Sequence, residues 1–223
     1  MKRREVLAVL AAAAMTESAP LLAQGNPSHY ENEIALPRAN LTGSVSLEEA
    51  IARRRSTRRF RPDAVPLAAI GQLLWAGQGL TDADGKRAAP SAGALYPLEL
   101  YTVSASEVMH YLPPGHRAER RTSPDLRPEL QALAVGQASV GAAPLLIAVA
   151  AEPGRLSQRY GARADIYAYI EAGHAAENIL LQAAAMRLAS VPVGAVDGPK
   201  AARALGLPAG QTVVYLIPTG YPV

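Results

Sequence analysis

The sequence predicts a single domain of the α+β class, and three observations carry that reading. Segments with apolar residues at helical spacing alternate irregularly with short, continuous apolar runs. No stretch repeats at a fixed period. The chain has 223 residues, 49% hydrophobic and 18% charged, enough for one substantial core and short of two independent ones.

The N-terminus reads Met1-Lys2-Arg3-Arg4-Glu5-Val6-Leu7-Ala8-Val9-Leu10 and then four alanines, a charged start and a short apolar run of secretory-signal kind. Arg3-Arg4 resembles a twin-arginine export signal, with cleavage after Ala23, so residues 1–23 read as a signal peptide and the protein as periplasmic or exported. A retained amphipathic helix and a cytoplasmic location are the competing reading. The apolar run is too short to span a bilayer stably. Residues 24–44, rich in Pro, Gly and Asn, read as a linker, and 45–223 as the folded domain.

Ser46-Leu47-Glu48-Glu49 has the form of a capping box and starts a helix running to about Arg55. Pro66 opens a second helix, with Leu67, Ile70, Leu73 and Leu74 at helical spacing before Gly77 and Gly79; its Trp75 reads as core. Leu98 to Val103 is a strand, and Tyr111-Leu112-Pro113-Pro114-Gly115 reads as irregular. A helix over Pro128 to Ala138 leads to Pro144-Leu145-Leu146-Ile147-Ala148-Val149-Ala150, a run typical of a strand buried on both faces. Ala164 to Leu188 forms a long helix, with Gly173, Ala176 and Ala184 offering flat surface to a close partner. Val191 to Val196 is a short strand or extended loop, Pro199 to Leu205 a helix, and Thr212 to Pro218 a last apolar strand.

Composition narrows the chemistry. Lys and Arg exceed Asp and Glu by only 22 to 19, so basic character is local, which favours an anionic small ligand over a nucleic-acid surface. Zero cysteines exclude disulfides, thiolate metal sites and cysteine nucleophiles. His29, His110, His116 and His174 never stand in the i, i+4 zinc arrangement, and no metal site is expected. Phosphate-loop, dinucleotide and hydrolase-elbow motifs are absent from the sequence, and no side chain is an evident catalyst. A cofactor is therefore expected to carry the reaction.

Two stretches stand out as ligand surfaces. Arg53-Arg54-Arg55-Ser56-Thr57-Arg58-Arg59-Phe60-Arg61 holds six arginines in nine positions with no acid among them. Some of these suit the negative end of the preceding helix dipole, but six exceed what capping requires. In Pro90-Ser91-Ala92-Gly93-Ala94-Leu95-Tyr96-Pro97, small side chains let backbone N–H groups and the Ser91 hydroxyl approach a flat ring.

Arg54-Arg55-Ser56-Thr57-Arg58, Pro90 to Pro97, Glu171-Ala172-Gly173-His174-Ala175-Ala176-Glu177-Asn178 and Val191-Pro192-Val193-Gly194-Ala195 together resemble the nitroreductase-like flavoproteins. Within them the chain is most similar to the SagB-type branch, which includes azoline dehydrogenases acting on peptide thiazolines and oxazolines. The resemblance spans residues 46–223. It implies a central, mostly antiparallel sheet flanked by helices, a homodimer with long helices at its interface, and one FMN per interface site. By the same resemblance, Arg54, Arg55, Ser56 and Arg58 hold the FMN phosphate, ribityl chain and pyrimidine edge. Pro90, Ser91 and Gly93 reach the ring from the neighbouring subunit, and Pro192, Val193 and Gly194 bring a backbone N–H to flavin N5. The implied activity is an FMN-dependent oxidoreductase transferring hydride through N5, with a small-molecule or peptide substrate. The alternatives are a flavin-fold binding or maturation protein without redox turnover and a cytoplasmic NAD(P)H-dependent nitroreductase. Two positions depart from the family pattern: Ala94 replaces a frequent Asn, and Gly220-Tyr221-Pro222-Val223 lacks a frequent basic phosphate contact.

Overall fold

The computed structural model describes residues 30–223. The signal-peptide reading of 1–23 and the start of the expected linker, 24–29, lie outside the described residues.

In chain order the elements are β1 (Asn32–Ala35), α1 (Leu47–Arg53), α2 (Leu67–Gln78), a single 3₁₀ turn at Ala92–Ala94, β2 (Leu98–Val103), β3 (Glu107–Leu112) and β4 (Arg117–Thr122). They continue as α3 (Arg127–Leu133), α4 (Ala138–Ala142), β5 (Leu145–Ala151), α5 (Gly154–Tyr160), α6 (Ala164–Ala185), β6 (Ala189–Ser190), α7 (Gly198–Ala204) and β7 (Thr212–Gly220). The strands form one sheet in the order β1-β4-β3-β2-β5-β7-β6, every neighbouring pair antiparallel.

Strand β5 explains the layering. Its residues are all buried, and they alternate between two cores: Leu145, Ile147, Val149 and Ala151 face one, Leu146, Ala148 and Ala150 the other. On the first face sit α2, α5 and α6, through Leu73, Leu74, Leu156, Ala172 and Ile179; on the second sit α3, α4 and α7, through Leu130, Val140 and Ala201. The result is an α/β/α sandwich. At its centre α2 crosses α6 and β2 so closely that a Cβ on Gly77 would lie 2.9 Å from Leu100 Cδ1 and 3.0 Å from Ile179 Cδ1. That contact seats α6, the scaffold of the site, against the sheet.

Some expectations change. Within the expected linker, Asn32–Ala35 is instead an edge strand registered on Arg117–Arg120. The stretch read as irregular at Tyr111-Leu112 belongs to β3, and the Pro113-Pro114-Gly115 portion is the hairpin turn into β4. The expected helix 128–138 breaks at Ala134–Gln137, where Val135 and Gly136 take positive φ, into α3 and α4. Val191–Val196 is extended, held by a Val193–Leu216 bridge to β7.

Candidate functional site

The site is organised along α6. Ser46 caps the start of α1 by accepting the Glu49 N–H at 3.1 Å, and the helix ends at Arg54, whose N–H donates to Ala50 O, so that Arg53, Arg54 and Arg55 follow one another beside the C-terminal half of α6. The next residues are fixed by a parallel bridge of Ser56 to Ser190 and by the Thr57 N–H donating to Ser190 O at 3.0 Å. Between these pieces lies a cleft of about 420 Å³, walled by the guanidinium-bearing residues Arg53, Arg54, Arg55 and Arg187, with Thr57 and Ser190 among its polar lining. None of its described lining residues is acidic. Glu49 pairs with Arg53, and Glu177 on α6 reaches Arg54 Nε at 3.7 Å. Both pairs are partly exposed and hold side chains in place more than they stabilise the fold.

From Ser190 the chain runs directly into Pro192-Val193-Gly194. The Val193 N–H donates to Leu216 O at 2.8 Å and so is spent inside the protein. Among the described residues none accepts the N–H of exposed Gly194, which leaves it as the donor this segment can offer a ligand. Ser56 and Arg58 do not line the cleft; both are exposed beside it.

The second stretch, Pro90 to Pro97, lies further toward the N-terminal half of α6. Buried Glu171 accepts the Ala92 N–H at 2.8 Å, and Asn178 Nδ2 donates to Ala88 O at 3.3 Å. Ser91 Oγ accepts the Tyr96 N–H at 2.8 Å and also bonds Glu171, so this hydroxyl shapes the loop from within. Burial raises the Glu171 carboxyl above the ordinary range, against the opposing pull of the Ala92 N–H and Ser91 hydroxyl. Gly93, Ala94 and Tyr96 adopt φ of +62°, +55° and +47°. At Gly93 a Cβ would stand 2.7 Å from Arg159 Nη1 and 2.9 Å from the Tyr160 hydroxyl. The tip, Pro90, Gly93 and Ala94, is exposed and almost free of side-chain bulk, a platform for a flat group.

No residue of Pro90–Pro97 lines the arginine cleft. The cleft thus joins Arg54 and Arg55 to Ser190, where the segment to Gly194 begins, while the Pro90–Gly93 loop contributes nothing to its lining. A larger cavity of about 1140 Å³ opens between α1, α2 and α6, with half-buried Trp75 on its wall donating to Leu80 O at 3.3 Å. Tyr111 is buried in β3 with its hydroxyl on His116 Nδ1 at 2.9 Å.

Sequence reading did not find Arg187, nor the anchoring work of Glu171 and Glu177. Arg187 stands outside any motif, and the other two have partners 79 and 123 residues away in the chain, which spacing does not reveal.

Comparison with known proteins places this geometry. Residues 51–221 match the model of the Nitroreductase family, so the chain belongs to that family and is one of its oxidoreductases. It is 35% identical over 169 residues to "Putative nitroreductase MJ1384" of Methanocaldococcus jannaschii, covering 73% of this chain and 84% of that protein. A solved "putative nitroreductase" of Ralstonia eutropha superposes with a TM-score of 0.79 at 27% identity, over 88% of this chain and 92% of that one. The NADPH:FMN oxidoreductase of Vibrio harveyi, complexed with NAD+, shares the fold at a TM-score of 0.60 and 22% identity, over 79% of this chain and 68% of that one. The nitroreductase-like α+β architecture is thereby established.

Proposed function

We propose that the protein is an FMN-dependent oxidoreductase of the SagB-type or nitroreductase-like kind, acting as a homodimer on a small-molecule or peptide substrate. The observation that carries this reading is the acid-free cleft walled by Arg53, Arg54, Arg55 and Arg187, which opens beside the strand leading to the Gly194 N–H. Its donors are those a phosphate monoester needs: forked guanidinium groups that give charge-assisted, paired hydrogen bonds. FMN, when bound, supplies hydride transfer through its N5. Arg54 and Arg55 neutralise the phosphate, with exposed Ser56 and Arg58 placed for the ribityl and pyrimidine side. The Gly194 N–H serves as the donor at the ring edge, and the Pro90–Gly93 loop admits a planar ring while excluding water from one face.

Because loop and cleft stay apart within one chain, a complete site calls for the loop of a second copy. The exposed face of α6 supports that pairing: Ile166, Tyr169 and Ile170, spaced on one helical stripe, are 52%, 52% and 50% accessible. We propose further that Arg3-Arg4 exports the folded protein, so that its working partner is a quinone, oxygen, a redox protein or an oxidisable small molecule or peptide. Purification followed by mass identification of the bound cofactor tests the central reading. Stoichiometric FMN, reducible by dithionite, is the expected result; a protein that stays colourless after incubation with FMN overturns it.

A further inference from the structure

We infer that Arg187 is a phosphate-binding residue of the arginine cleft, recruited from the end of α6; the inference rests on the FMN reading above and adds a residue to it. The helix closes in a Schellman turn, the Leu188 N–H donating to Ala183 O at 2.8 Å and the Arg187 N–H to Ala184 O at 3.1 Å. This turn puts Arg187 at φ +59°, the left-handed conformation that glycine fills without crowding its own Cβ. An arginine here makes the helix end less favourable than glycine would.

What the arginine gains is position. It lines the cleft between α6 and the arginine-rich stretch after α1, together with Arg54 and Arg55. Arg53 is paired with Glu49 and Arg54 with Glu177, while neither Arg55 nor Arg187 has an ion pair among the described residues. Pro222 on the cleft wall brings neither a charge nor an N–H. Four guanidinium groups against two carboxylates leave the cleft with an excess of positive charge that an entering anion relieves, and a phosphate dianion satisfies several guanidinium forks at once. Arg187 therefore stands to FMN as a contact for its phosphate alone.

The test compares FMN with riboflavin, which lacks the phosphate, on the full chain, Arg187→Gly and Arg187→Lys, alongside the melting temperature of each flavin-free protein. Arg187→Gly should melt at or above the parent, because glycine suits the turn. It should bind FMN roughly tenfold or more weakly, while riboflavin affinity stays within about twofold; Arg187→Lys should keep part of the FMN preference. Should Arg187→Gly retain the parent's preference for FMN over riboflavin, the inference fails and the flavin reading stands. A lowered melting temperature with both flavins weakened equally would assign Arg187 a structural role and also overturns it. If the parent chain binds no flavin, both readings fall together.

Discussion

The Glu171 carboxylate, buried on α6, accepts the backbone N–H of Ala92 at 2.8 Å across 79 residues of chain, and this bond fixes the Pro90–Pro97 loop to the helix. Ionising a buried carboxyl is costly, and the raised Glu171 pKa shows that its bonds to Ala92 and Ser91 offset only part of that cost. Glu171→Gln keeps an oxygen acceptor and removes the charge, so it should fold with unchanged or higher stability. Glu171→Ala leaves the Ala92 N–H unsatisfied and should lose about 1–3 kcal/mol in urea unfolding, with faster hydrogen exchange confined to residues 90–97. Equal stability of the two variants would show that the bond holds nothing.

Arg54 is the cleft arginine held by a residue of α6, and Arg54→Ala removes one charge-assisted contact worth on the order of 1.5–3 kcal/mol. FMN affinity should fall roughly tenfold to a hundredfold, and Arg58→Ala should weaken it in the same direction. Stoichiometric flavin in both variants at micromolar protein removes the phosphate assignment. The loop gives an independent check: Ser91→Tyr should exclude the ring from the site that this loop completes on the other subunit. Mixing Ser91→Tyr with Arg54→Ala chains should restore about one good site per heterodimer, and no recovery at all would count against a shared site.

How far the sequence reached depended on where each partner sits in the chain. Strand β5 could be read directly, because two-sided burial writes a continuous apolar run, and the α1 start because a capping box is local. The β3–β4 hairpin was hidden because β4, Arg117–Thr122, is mostly charged; its Arg120 pairs with Glu107 and Arg117 with Glu33, so polarity there marks a partly exposed strand ion-paired to the strands on both sides of it and not a loop. The Arg54 cluster and the Pro90 loop announced themselves by composition. Their separation within one chain did not, since it arises from two different heights on α6.

A charged network ties the same loop to the sheet and sets a pH dependence. His110 contacts Glu99 at 2.9 Å and Glu119 at 3.2 Å, stacks on Tyr101, has the Tyr30 ring 6.0 Å away, and shares Glu99 with Arg155, which in turn donates to Tyr96 O at 3.0 Å. Burial, the largest influence, opposes charge on both groups, but the bonds win: His110 titrates above its ordinary value and Glu99 below. The His110 contribution is fully present below the unfolded histidine pKa of about 6.5 and is lost as pH rises through the raised folded value. The Glu99 contribution is present above the ordinary glutamate range and is lost as pH falls through the depressed folded value. Urea unfolding should therefore show stability falling from about pH 6.5 upward, and His110→Gln should abolish that fall. An unchanged alkaline slope in the variant would clear His110 of the effect.

Location and electron partner stand or fall together. A protein that must hold a flavin folds before it leaves the cytoplasm, and the twin-arginine route carries folded cargo, whereas an unfolded chain has no arginine cleft to bind a phosphate. Outside the cytoplasm free NAD(P)H is absent, so selection there acts on a quinone, oxygen, a redox protein or an oxidisable substrate. Reporter fusions should appear in the periplasm with Arg3-Arg4 intact and be trapped in the cytoplasm by Arg3→Lys with Arg4→Lys. Steady-state assays should show slow NAD(P)H oxidation and faster exchange with a quinone or an oxidisable small molecule. If the unaltered fusion stays cytoplasmic, or if NADPH reduces a nitroaromatic rapidly, the export reading fails, and a cytoplasmic nicotinamide-dependent nitroreductase takes its place.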